Sequence, residues 1–473
     1  MRFHLLANAV AIAFSRTLGA QDTDPPGLVA QRLSALVLSA LAVQRAKAPL
    51  VREPIPPLLG CYRTSHGHVV CIRALESPDS WRYTDYQTGE SHQLYPSGHA
   101  TYQSSDAWTG QAPAKLHYRF TTAGNGRVTR LTMQRDGAKP TSANRITTRE
   151  RTAYFQNGDL RLYGKLVLPA AGSAPFPVVV MVQGSDSIPV VQDADFPYLI
   201  AANGMGAFVY DKRGSGKSQG QYTQLFPALA GDAIAAVHWL QAQSSEVDTS
   251  RIGLAGFSQG GWIAPLAASR ESAIKFVLVG YGLAASIAEE DSVGAPAMVR
   301  SLGFDSTAVR QFEELNAAIH FTAQHGFKDG WPALEARFAQ YSQAKWFAAM
   351  KGTPTWSGWL IEHGLDQGKV VGPVMFTTFM DAFYDPMPVL RQLTIPSLWL
   401  IGGDDLQAPP EPTLSRLTEL RTAGNPITTI VFPHTEHGIR LFTQEPHGRV
   451  TRAYAPTYFP TVIQWLRAQT LSR

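Results

Sequence analysis

Gly256-Phe257-Ser258-Gln259-Gly260 is the stretch that decides how this chain is read. The five residues spell G-x-S-x-G. Just before them, Arg251-Ile252-Gly253-Leu254-Ala255 is a short apolar run suited to a buried parallel strand. Just after them, Gly261-Trp262-Ile263-Ala264 opens an Ala-rich stretch suited to a helix. Strand, sharp turn and helix are the context that gives the pentapeptide a mechanical meaning. The turn pushes a serine hydroxyl out above the sheet. Glycines on either side remove the Cβ atoms that would collide where helix and strand crowd the turn. In an ordinary loop the same five letters would be a chance match.

A serine hydroxyl is a poor nucleophile at neutral pH. It needs a base, and the base needs an acid to orient it. Further along, Ser397-Leu398-Trp399-Leu400-Ile401 reads as a buried strand introduced by Ile395-Pro396. It runs into Gly402-Gly403-Asp404-Asp405, and Pro409-Pro410 closes the loop. Ile427-Thr428-Thr429-Ile430-Val431-Phe432 reads as the next strand and ends in Pro433-His434-Thr435-Glu436-His437-Gly438. An acid and a histidine therefore follow the serine at the carboxyl ends of two later strands. The residues alone leave Asp404 or Asp405, and His434 or His437, open. The bland readings are an N-cap aspartate and a solvent-exposed histidine.

This pattern resembles the α/β-hydrolase superfamily, in which the acid follows a strand as Gly-x-x-Asp with a proline shortly after. The resemblance selects Asp405 with Pro409, and it selects His437 because the family's base is usually followed by glycine. It implies Ser258 as nucleophile, His437 as general base and then acid, and Asp405 as orienter. It also implies an oxyanion hole made by two backbone N–H groups. One is that of Gln259. The other lies in the loop after the apolar run 178–182, where the chain reads Gln183-Gly184-Ser185-Asp186-Ser187. The family usually has His-Gly here and this chain has Gln183, but the donor is a backbone group, and Ser185 is its candidate.

Asp211-Lys212-Arg213-Gly214-Ser215-Gly216-Lys217-Ser218 is similar to the family's D-x-R-G-x-G-x-S loop. Its Gly216-Lys217-Ser218 is not a phosphate-binding loop, because Asp211 stands where that motif needs its first glycine. Asp211 and Arg213 are expected to hold the loop. The resemblance covers roughly residues 150–470. It is closest to bacterial members that look like dienelactone hydrolases or the prolyl oligopeptidase branch, each with an added N-terminal segment. It speaks to mechanism better than to substrate.

The remaining sequence sets the frame. Of 473 residues, 44% are hydrophobic and 16% charged, enough apolar mass for a large core. The net charge of +4 is interspersed, with no basic run, so nucleic acid is not an expected partner. Leu5 to Phe14 after Arg2, and Leu33 to Ala42 after Arg32, are two candidate signal segments, both too short to span a membrane. The second ends in Ala40-Leu41-Ala42, which fits a cleavage site. Export to the periplasm or beyond is therefore expected. Cys61 and Cys71 flank a turn around Ser65-His66-Gly67-His68, so a hairpin would bring them together as a disulfide. Two free thiols, or a metal held with His66 and His68, are the other readings.

The expected organisation is a leader over 1–48, a small β-rich domain over 49–150 and a hydrolase domain over 151–473. The β-rich domain follows a Pro-rich linker, Glu53-Pro54-Ile55-Pro56-Pro57, and carries short alternating runs such as Lys115-Leu116-His117-Tyr118-Arg119-Phe120. A helical lid is expected at about 282–385, because over one hundred residues separate two core strands there. Aromatics cluster across it: Trp331, Trp346, Phe347, Trp356, Trp359, Phe376, Phe379 and Phe383. They either form the lid's own core or roof a substrate pocket. The fold class is thus α/β, with an α/β-hydrolase sheet, an inserted lid and a preceding β domain. The function expected is that of a serine hydrolase acting on a small carboxylic ester through an acyl-enzyme, with no cofactor or metal. A peptidase of the prolyl oligopeptidase type, or a non-catalytic binder on the same fold, are the alternatives. The N-terminal segment is too short for a propeller and shows no repeat, which weighs against the first.

Overall fold

The computed structural model describes residues 58–75, 80–110, 112–445 and 448–470. The candidate leader and the Pro-rich linker lie outside the described residues.

Alternating sequence becomes a closed barrel in the first part of the chain. Strands β1 (Gly60–Thr64), β2 (Val69–Ala74), β3 (Trp81–Asp85), β4 (Ser91–Gly98), β5 (Thr101–Ser104), β6 (Leu116–Thr122), β7 (Val128–Arg135) and β8 (Thr141–Arg145) each pair antiparallel with the next, and β8 returns to β1. Along β6, Leu116, Tyr118 and Phe120 are buried while His117 and Arg119 are exposed. Such alternation sends every second side chain inward. Eight strands enclose a bore that side chains alone can fill, and Tyr62, Ile72, Leu94 and Leu131 are among the fully buried residues that do so. The sequence led us to expect a β domain; closure into a barrel, which removes both sheet edges, is the added finding.

Cys61 and Cys71 are direct register partners on β1 and β2 and form a disulfide. The metal reading at this hairpin falls with it, and His68 instead lies 3.2 Å from Asp85.

The second part is an eight-stranded sheet. Its strands are β9 (Thr148–Asn157), β10 (Leu160–Pro169), β11 (Phe176–Val182), β12 (Gly206–Tyr210), β13 (Val247–Phe257), β14 (Ile274–Gly280), β15 (Ser397–Gly402) and β16 (Ile427–Phe432). Read from one edge, the order is β9-β10-β12-β11-β13-β14-β15-β16. β10 is antiparallel to both neighbours, and every pairing from β12 to β16 is parallel. Parallel strands are covered on both faces, which is why β11 is buried along its whole length. Helices α1 (Phe196–Ala202), α2 (Phe226–Gln241) and α3 (Gly260–Ala268) follow β11, β12 and β13.

Between β14 and β15 the chain leaves the sheet and builds the lid. It comprises α4 (Ile287–Ser301), α5 (Ser306–Gln324), α6 (Trp331–Tyr341), α7 (Lys345–Met350), α8 (Trp356–His363), α9 (Leu365–Val374), a π-helical turn (Met375–Phe379) and α10 (Met387–Gln392). α4 starts with a capping box between Ser286 and Glu289. Glu289 also takes a forked ion pair from Arg416 of α11 (Pro410–Thr422), which pins the lid's base to the sheet layer. The lid has its own core, in which Phe312, Trp346 and Met350 are buried.

After β16 come the short β17 (Thr435–Glu436), β18 (Arg440–Glu445) and β19 (Gly448–Tyr454), a three-stranded ribbon, and then α12 (Tyr458–Thr470). The barrel packs on the α1 and α12 side of the sheet. The Tyr86 ring meets Phe459 at 4.3 Å and Phe196 at 6.4 Å, and barrel and helices share one apolar core. No helix among the described residues is long and apolar enough to cross a membrane.

Candidate active site

Ser258 stands between β13 and α3 with φ +52°. For a residue with a Cβ this left-handed conformation is strained, and it persists because the surroundings fix it. The Ser258 N–H is held by the Gly280 carbonyl at 2.9 Å, and the Ser258 carbonyl accepts from Gly261 N–H at 2.7 Å. Two glycines are required by packing. A Cβ on Gly256 would lie 2.1 Å from the Gly260 carbonyl oxygen, and one on Gly260 would lie 2.4 Å from the Val182 carbonyl oxygen. The turn therefore closes only with bare backbone at both places.

His437 follows β17, and its Nε2 is 3.1 Å from Ser258 Oγ. Its Nδ1 is 2.8 Å from Asp405 Oδ2. Asp405 is buried, and its other oxygen accepts the amides of Gln407 at 2.8 Å and Ala408 at 2.9 Å. Those bonds fix the carboxylate so that one oxygen faces the imidazole. The alternatives left by the sequence are separated by position. His434 has a side chain 90% exposed and lies 3.6 Å from Asp404, out on the rim. The Tyr281 ring packs edge-on to His437 at 4.8 Å, and burial pushes its phenol up.

The two oxyanion candidates flank Ser258. A Cβ on Gly184 would be 3.8 Å from Ser258 Oγ, so the 183–185 loop touches Ser258. Lys212 Nζ donates to the Gly184 carbonyl and, at 3.0 Å, to Gln259 Oε1. Tyr222 Oη donates to the Ser185 carbonyl at 2.6 Å. In a trans peptide the N–H points opposite to the preceding C=O. With the Gly184 carbonyl turned to Lys212, the Ser185 N–H faces the other way. Neither this N–H nor that of Gln259 meets an acceptor among the described residues.

The loop after β12 braces this arrangement. Asp211 accepts the amides of Val190 at 2.9 Å, Val191 at 3.1 Å and Lys217 at 3.2 Å. Arg213 makes a forked pair with buried Asp232, with both N–O distances 2.7 Å. Sequence reasoning did not single out Lys212, Tyr222 or Tyr281. The available signal was Lys212 at the end of β12, beside the strand that leads into the 183–185 loop.

Two further features belong to the lid. The Glu290 carboxyl on α4 makes no hydrogen bond among the described residues; burial, with the charges of Asp405 and Asp291, pushes it well above the usual range. Its neighbour Asp291 is instead fully used, accepting Trp356 N–H at 2.8 Å and lying 3.0 Å from His320 Nε2. Inside the lid is a small apolar cavity of about 50 Å3, walled by Ile319, Ala323, Trp331, Trp356, Val371 and Phe376 among others. The π-helical turn forms one wall and leads to Phe379. That ring lies 5.8 Å from Tyr222, the residue holding the Ser185 carbonyl.

Strand order, one antiparallel strand second from the edge, a strained serine turn after β13, and an acid and histidine after the last two strands of the sheet are the layout of an α/β-hydrolase fold, and the chain has that fold. A family model for X-Pro dipeptidyl-peptidase (S15 family) matches residues 157–376. That span holds Ser258 and most of the lid, and it stops before Asp405 and His437. An Escherichia coli protein described as an uncharacterized 31.7 kDa protein in the traX-finO intergenic region is 30% identical over 108 residues, 23% of this chain and 37% of that protein. The alignment thus spans little more than a third of that relative. Among solved structures, the chain is similar to an acylaminoacyl peptidase of Pyrococcus horikoshii, with TM-score 0.42 and 13% identity over 85% of this chain and 57% of that one. It is also similar to an esterase of Pyrococcus furiosus, with TM-score 0.42 and 16% identity over 69% of this chain and 92% of that one.

Proposed function

We propose that the chain is a serine hydrolase cleaving small carboxylic esters through an acyl-enzyme. The observation carrying this reading is the continuous Asp405–His437–Ser258 hydrogen-bond chain at the head of the strained turn. Ser258 Oγ attacks the ester carbonyl carbon while His437 Nε2 takes the hydroxyl proton. The amides of Gln259 and Ser185 hold the developing oxyanion. When the tetrahedral species collapses, the ester C–O bond breaks and His437 gives its proton to the leaving alcohol. Water, deprotonated by His437, then cleaves the acyl-enzyme and restores Ser258. The apolar cavity inside the lid supports an apolar acyl group as part of the substrate.

The matched family model favours a second reading, X-Pro dipeptidyl-peptidase activity. Turnover of 4-nitrophenyl acetate and butyrate, beside an X-Pro 4-nitroanilide, separates the two. The ester reading expects ester turnover that disappears in Ser258→Ala and slow or no anilide cleavage. Anilide cleavage at comparable kcat/KM would move the chain to the peptidase reading. Ester turnover surviving in Ser258→Ala would remove both.

We further infer that the chain is exported. The Cys61–Cys71 disulfide supports this, since such bonds persist in oxidising compartments. The mass of the N-terminus of protein from the native source tests it: a processed terminus is expected, and an intact Met1 would contradict it.

A further inference from the structure

The barrel wall turned towards the catalytic loops carries two arginines abreast. Arg73 on β2 and Arg82 on β3 are direct cross-strand partners. Like charges in that position repel. Arg82 is only 4% exposed. Its Nη1 donates to the Trp108 carbonyl at 3.1 Å, and its guanidinium lies 4.2 Å from the Trp108 ring centre. Its Nε is buried and has no acceptor among the described residues. The groups acting on Arg82 are first the Arg73 guanidinium, then the phenols of Tyr454 and Tyr95, and last Arg440. Burial, followed by those guanidiniums, holds its pKa down at about 10. The acids nearby serve other cations. Asp193 and Asp195 act on Arg73, and Glu436 lies 3.7 Å from Arg440.

This cluster borders the triad. Arg440 Nε donates to the His437 carbonyl at 2.7 Å. The Trp108 ring under Arg82 meets the Tyr454 ring at 5.1 Å, and Tyr454 is the cross-strand partner of Arg440. A buried cation without a counter-charge costs the fold stability, and a bound anion offsets that cost. The lid cavity is walled by apolar side chains, whereas this junction carries three arginines.

We propose that the junction of barrel and catalytic loop holds a subsite for an anionic group, carboxylate or phosphate, on the leaving side of the substrate, gripped by Arg82 and Arg73 with Arg440 beside them. The substrate is then an amphiphilic ester, with an apolar acyl group under the lid and an anionic alcohol against the barrel. This rests on the ester-hydrolase reading, and it gives the barrel a task in recognition.

Two measurements test it. The first is calorimetric binding of benzoate and of inorganic phosphate to the whole chain, which needs no turnover. Saturable binding of at least one is expected, weakened about tenfold or more in Arg73→Gln and in Arg82→Gln, as for loss of a charge-assisted hydrogen bond. The anion bound more tightly identifies the headgroup class. No binding of either anion to the wild type, or equal binding by a folded Arg73→Gln variant, would overturn the proposal. The second compares 4-acetoxybenzoate and 4-acetoxyphenyl phosphate with methyl 4-acetoxybenzoate, all sharing one acetyl group. The kcat/KM ratio of anionic over neutral ester should fall about tenfold in Arg73→Gln. An unchanged ratio overturns the proposal. If none of the three esters is turned over while anions still bind, the ester reading fails and the anion site stands. Arg73, only partly buried, keeps the test open should Arg82→Gln fail to fold.

Discussion

In the proposed mechanism Ser258, His437 and Asp405 each have one chemical task, and their replacement should be felt accordingly. Asp405→Asn leaves the shape of the site but favours the wrong imidazole tautomer. It should lower kcat by roughly 10^3 to 10^4-fold, read from initial rates with a 4-nitrophenyl ester; a loss under tenfold would remove Asp405 from the triad. Glu290 gives a pH signature. Above its ordinary pKa of 4.5 the unfolded chain releases this proton while the folded chain keeps it. Native stability therefore falls as pH rises from there towards the raised folded value. Glu290→Gln cannot titrate, so its urea midpoint should gain on the wild type as pH goes from about 5 to 8. Parallel midpoints across that range would contradict the burial argument. At this scale the triad was legible because each member follows an apolar run that can only be a core strand. Lys212, Tyr222 and Arg82 were not. Their roles depend on contacts across strand pairings and across the barrel junction, which residue spacing does not encode.

The serine turn and the lid are the elements on which activity depends. Gly256→Ala places a methyl group 2.1 Å from the Gly260 carbonyl oxygen, so α3 or the turn must shift. Displacement of the nucleophile by even an ångström should cost about 100-fold in kcat. Activity near that of the wild type, with an unchanged far-ultraviolet spectrum, would show that the turn tolerates the methyl. In the lid, Ala323→Phe fills the apolar cavity from α5. The kcat/KM for an octanoyl ester relative to the acetyl ester should then fall about tenfold, since each methylene in an apolar pocket contributes to discrimination. An unaltered chain-length profile would separate the cavity from the acyl group. The lid's existence was legible from the gap between two core strands and from its aromatics. Its π-helical turn was not, because nothing in Met375-Phe376-Thr377-Thr378-Phe379 departs from helical patterning.

For the whole molecule, the decisive feature is that barrel and sheet share a core. Tyr86, Phe196 and Phe459 meet across the junction, so neither part buries its apolar face alone. One cooperative calorimetric transition is expected, and two resolved transitions would contradict a shared core. The Cys61–Cys71 bond closes a short loop with a sequence separation of 10. Its removal by Cys61→Ser with Cys71→Ser should lower stability by about 2–3 kcal/mol, measured by urea unfolding without reductant. Sequence reasoning reached the order of the parts and the strand-by-strand course of the sheet. The barrel's closure escaped it, because β8 meeting β1 joins residues such as Arg145 and Tyr62 that are far apart in the chain and carry no local mark.

The most direct test of the central claim is labelling of wild type and Ser258→Ala with a fluorophosphonate, followed by mass mapping of the modified peptide. The account predicts one label per chain, on Ser258, and none on the variant, with ester turnover lost in parallel. A folded wild type that takes no label, or takes it on another residue, would contradict it.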